Sequence, residues 1–153
     1  MTQRKTCNKK AEPETGPETG ATNHFANVVK QGEADKLGSK SVGKVQYEIA
    51  LHDEEKQLYF RIAGQTGGAG LHSKQWIPMV SLFELVESQE DRAWKSQVYR
   101  SLYSSGSANN QGFCASICRA LGLAQKAEGS MYLHVKGEKY DKVKADLMKL
   151  VKL

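Results

Sequence analysis

The residue types best suited to chemistry in this chain lie in its second half, and they suit binding better than catalysis. Asn109, Asn110 and Gln111 stand where a helix begins, and side-chain amides there can pair bidentately with adenine edges. Arg100, Arg119 and Lys126 flank them and can contact phosphates. Cys114 and Cys118 are four apart, a spacing that metal sites on helices use. They share their stripe with Phe113, Ile117 and Leu121, so they read as buried thiols of a core helix. A zinc site needs two more ligands, and His24, His72 and His134 show no paired spacing. Cys114 falls near a helix start, where a thiolate is favoured, but nothing in the sequence places a histidine beside it.

Other patterns fail on inspection. The stretch Gly64-Gln-Thr-Gly-Gly-Ala-Gly70 invites a phosphate-loop reading, yet no Gly precedes Lys74 as a Walker loop requires. The dinucleotide pattern fails because Ser73 stands where its third glycine belongs. Ser41-Val-Gly-Lys44 and Ser107-Ala-Asn109 match two elements of a serine acyl-enzyme, but the third, Lys-Thr-Gly, is absent. Asp53, Glu54 and Glu55 sit in a turn, and Glu90-Asp91 opens a helix. Both are ordinary solvated positions.

These residues need elements to hold them. Val45, Tyr47, Ile49 and Leu51 alternate with polar neighbours, and Leu58, Phe60 and Ile62 repeat the pattern after a polar turn. The two runs make a β-hairpin with one wet face carrying Tyr59 and Arg61. Trp76 and Ile77 read as a short third strand. Pro78 and the capping-box spacing Ser81…Glu84 start a helix over 79–87. A second helix over 91–103 carries Trp94, Val98 and Leu102 inward. A third over 109–121 ends at Gly122, with Leu123 packing back. Met131, Leu133 and Val135 point inward from a further strand, which turns Tyr132 and His134 outward. Tyr140, Val143, Leu147 and Leu150 mark a final helix.

The expected fold is α+β: the hairpin and the later strand in one small antiparallel sheet, packed by three consecutive helices and a C-terminal helix. Residues 1–42 read as a disordered tail, because the tandem Pro13-Glu-Thr-Gly16 and Pro17-Glu-Thr-Gly20 offer no apolar face. Residues 43–153 then form one domain. Three cysteines argue against a disulfide framework, and no apolar run can span a bilayer. No secretory signal is present, which points to the cytoplasm.

Charge is partitioned. Residues 1–43, 44–91 and 92–153 carry balances of +2, −4 and +7, within a net +5. The basic C-terminal part can steer an anionic partner. The sequence thus implies a small non-catalytic protein that contacts nucleic acid, DNA included, or a nucleoprotein complex through that half. In a helix version, the third helix reads bases. In a sheet version, Tyr59, Arg61, Tyr132 and His134 stack and pair single strands. The alternative is an accessory or inhibitory protein that binds another protein through Phe25, Val28, Val29 or Trp76. A small enzyme ranks behind both, and neither cofactor nor metal is implied.

Overall fold

A computed structural model describes residues 23–38, 42–68, 70–104 and 106–152. The repeat at residues 13–20 and Cys7 lie outside them. The chain forms β1 (Val28–Asp35), β2 (Lys44–Leu51), β3 (Leu58–Gln65), β4 (Ile77–Pro78) and α1 (Met79–Ser88). A 3-10 helix (Ser96–Leu102) follows, then α2 (Ala108–Leu121), β5 (Ala124–Ala127), β6 (Ser130–Lys136) and α3 (Tyr140–Met148). A last 3-10 turn covers Lys149–Lys152. The α+β class holds. One antiparallel sheet runs in the order β1-β2-β3-β4, and β5-β6 form a second, separate one.

The hairpin forms as its alternation requires. Tyr47 pairs with Ile62, Ile49 with Phe60 and Leu51 with Leu58, all facing the core. Burying each such aliphatic or aromatic side chain stabilises the fold by roughly 1.5–3 kcal/mol. Glu48 and Arg61 are directly opposite on the other face and form an ion pair at 2.7 Å. The helices α1 and α2 pack against the apolar face. Gly43 and Gly67 close the base of the sheet where the chain crosses itself. A Cβ on Gly43 would stand 2.0 Å from the Thr66 carbonyl oxygen, and both glycines hold positive φ. No side chain fits that crossing.

Four expectations change. Val28–Asp35, assigned to the tail, is the edge strand of the main sheet and pairs along β2 from Val28↔Ala50 to Asp35↔Lys44. The later strand pairs with β5 and not with the hairpin. The expected 91–103 helix is only the 3-10 helix, because Trp94 is drawn into an isolated bridge with His134, exchanging both backbone hydrogen bonds. Finally, His134 points inward and is fully buried.

The helix ends refine the picture. α1 starts at Met79 with no side-chain cap, so Ser81 and Glu84 lie inside it and make no capping box. α2 is capped by Ser107, whose hydroxyl accepts from the Asn109 N–H. It ends as expected at left-handed Gly122, where the N–H of Leu123 donates to the Cys118 carbonyl.

Candidate functional site

The six candidate residues separate into two groups. Asn109, Asn110 and Gln111 lie at the start of α2 and Arg119 near its end, about 15 Å away at 1.5 Å per residue. The first group is engaged within the protein. Asn110 is 1% exposed, and its Oδ1 accepts from the Ser73 N–H at 2.7 Å. Asn109 Nδ2 and Ser107 Oγ both donate to the Leu71 carbonyl, at 3.0 and 2.9 Å. Gln75 Oε1 accepts from the N–H and hydroxyl of Ser104. These bonds lace residues 70–76 onto the helix start, so Asn110 has no route to a base edge. Gln111 is half-buried beside it.

Arg119 is also engaged. Its Nε donates to His134 Nδ1 at 3.0 Å, and its Nη2 donates to the Leu133 carbonyl. Because His134 Nδ1 accepts, the ring proton sits on Nε2 and is donated to Ser96 Oγ at 3.1 Å. Burial, and then the Arg119 charge, push the imidazole down to about 4. The row Ser96–His134–Arg119 looks like a nucleophile with its base, but the polarity is reversed. A general base needs its Nε2 lone pair turned to the serine, and here Nε2 carries the proton. Trp94 and Tyr99 close over the ring, and Trp94 Nε1 donates to Tyr99 Oη at 2.9 Å.

The thiols read as anticipated. Cys114 and Cys118 are buried and free. Burial pushes both up, Cys118 to about 12, so neither forms a thiolate near neutrality.

Around the His134 row lies a basic surface with one open aromatic. Lys126 is the cross-strand partner of His134 on β5, and Trp94 bridges His134 on its other side. Lys126 and Trp94 therefore flank β6 across two strand spacings, about 10 Å, and Lys95 follows Trp94 in the chain. Arg100 follows on the 3-10 helix. All three cations are exposed and have no ion-pair partner among the described residues. Several other cations of this half are held: Lys144 by Glu87 at 2.7 Å, Lys142 by Asp146 at 2.9 Å, and Arg92 by the carbonyls of Ser88 and Gln89. Tyr132 on β6 is 58% exposed.

A third cluster has no signal in the sequence. The hairpin turn meets the residues before β1: the Asp53 N–H donates to the His24 carbonyl at 3.1 Å, and His24 Nδ1 donates to Asp53 Oδ1 at 2.7 Å. The His24 and His52 rings stack at 4.7 Å. Phe25 lies flat on Trp76, also at 4.7 Å, with Arg61 over the same indole at 4.5 Å. Of the four residues expected as docking points for a protein, Phe25 and Trp76 thus cover each other, and Val28 and Val29 lie in β1, exposed and half-buried. Only strand pairing brings His24 to His52, and no local spacing could have revealed it.

Among the described residues, no helix is long and apolar enough to cross a membrane. No protein-family model, curated protein or solved structure matches this chain.

Proposed function

We propose that the protein is a non-catalytic binder of single-stranded nucleic acid, working through the small sheet and the 3-10 helix beside it. The observation that carries this reading is Tyr132, an exposed aromatic on β6, whose neighbouring elements carry Lys126, Lys95 and Arg100, exposed and without an ion-pair partner among the described residues. Tyr132 stacks a base, and Lys95, Arg100 and Lys126 meet the backbone phosphates. Single strands are favoured over duplex because the start of α2, the element suited to a major groove, is covered by residues 70–76. Two buried free thiols fit a reducing compartment such as the cytoplasm.

Fluorescence anisotropy with labelled single-stranded RNA, single-stranded DNA and duplex tests the reading. Three phosphate contacts on a single strand give a log–log salt slope near −2, so affinity falls roughly twentyfold between 50 and 200 mM salt. Tyr132→Ala removes one stacked base and weakens binding by about 5- to 150-fold. Lys126→Glu and Arg100→Glu weaken it further and flatten the slope. Duplex bound more tightly than single strands, or binding indifferent to all three substitutions, would refute the assignment. So would the absence of binding at 50 mM salt.

A further inference from the structure

We propose that His24, His52 and Asp53 form a binding site for one divalent transition-metal ion of the zinc class, on residues distinct from those of the proposed nucleic-acid surface. Two imidazoles and a carboxylate are the donor set such ions take, with water completing the shell. One donor atom from each residue lies within 4.8 Å of the others. Asp53 Oδ1 stands 2.7 Å from His24 Nδ1 and 3.8 Å from His52 Nδ1. Around a tetrahedral ion with bonds near 2.1 Å, donors stand about 3.4 Å apart. The first must open and the second close, each by less than 1 Å, and the stacked His24 ring must tilt, because each imidazole lone pair lies in its ring plane.

The surroundings favour that adjustment. His24 and Asp53 are 32% and 52% exposed at their side chains, so both can turn and the ion has an entry path. The backbone is already clamped by the Asp53 N–H on the His24 carbonyl. His52 is the most buried member and must release its backbone contacts to ligate. Its Nδ1 accepts from the N–H groups of Glu54 and Glu55 at 3.2 and 3.0 Å, which places the lone pair on Nδ1 and the proton on Nε2. Glu55 Oε2 lies 3.8 Å from that Nε2, and its other oxygen accepts from Tyr59 Oη at 2.6 Å. A carboxylate behind a ligating imidazole is the usual outer support of a metal site. Binding replaces the proton shared by His24 and Asp53 and displaces the two amide contacts on His52. The ion then ties the residues before β1 to the β2–β3 turn.

The test is zinc titrated into the metal-stripped full chain, followed by calorimetry and by the imidazole resonances. One ion is expected per chain, with the His24 and His52 signals moving and those of His72 and His134 staying. His24→Ala and Asp53→Asn each weaken zinc at least about a hundredfold, the upper range for losing even an outer-shell partner. His72→Ala leaves it unchanged, and circular dichroism checks that each variant is folded. The thermal midpoint of the parent rises with zinc, and that of the variants does not. Unshifted His24 and His52 signals, or equal zinc affinity in parent and variants, would overturn the site.

Discussion

Lowering the pH from 7 to 4 should remove about 3 kcal/mol of stability through His134 alone. The imidazole is buried and neutral, and its environment holds it at about 4 against 6.5 in the open chain. Between those values the unfolded state binds a proton that the folded state refuses, so stability falls as pH falls. The contribution is complete above pH 6.5. About 2 kcal/mol is lost by pH 5 and about 3 kcal/mol by pH 4, since each pH unit in that window costs about 1.36 kcal/mol. Urea unfolding followed by Trp fluorescence at pH 7, 6 and 5 measures it. His134→Gln isolates it, because the amide does not titrate and still offers one donor and one acceptor to Ser96 and Arg119. That variant is less stable at pH 7 and loses about 2 kcal/mol less between pH 7 and 5. Carboxylates held below their usual range, such as Glu87 beside Lys144 and Tyr140, titrate lower and act equally in both proteins. Parallel pH profiles for the two would refute the argument, as would a His134 resonance that titrates near pH 6.5.

Two further outcomes follow from the buried polar groups and thiols. Asn110→Ala deprives the Ser73 N–H of its acceptor and destabilises the fold by about 1–3 kcal/mol in urea titration, clearly more than Asn109→Ala at the half-buried neighbouring position. Equal losses at the two positions would contradict the greater burial of Asn110. Cys114 and Cys118 react with a thiol reagent at pH 8 only as fast as the chain opens, and peptide mapping of the labelled sites checks it. Their labelling within seconds in the absence of denaturant would contradict the burial.

The elements readable from sequence are those whose order is written locally. β2 and β3 alternate because one face is buried, and α2 carries its core residues three and four apart up to a glycine stop. β1 carries no such mark. Only Ala34 of its eight residues is buried, and its place is set by β2 alongside. The same limit explains β6, whose partner β5 contributes only two buried alanines to the pattern. His134 reads as outward because Leu133 and Val135 look like the inward set. Its true environment is assembled by Arg119 from α2, Ser96 from the 3-10 helix and the Trp94 bridge, none of them local. The basic character of the C-terminal half is legible from composition. Which cations are neutralised is not, since Lys144 meets Glu87 across 57 residues of chain.

The position of β1 at the rim of the main sheet also bears on how copies of the chain meet at high concentration. A bare strand edge is a template for another strand, and long flat apolar edges polymerise. Here the edge is broken by a bulge between Val28 and Lys30, and it carries Lys30, Glu33 and Asp35. A second molecule laying its own edge along this one would have to desolvate those charges. The segment that reads as tail therefore both extends the sheet and terminates it, leaving a rim on which fibrous growth has no foothold.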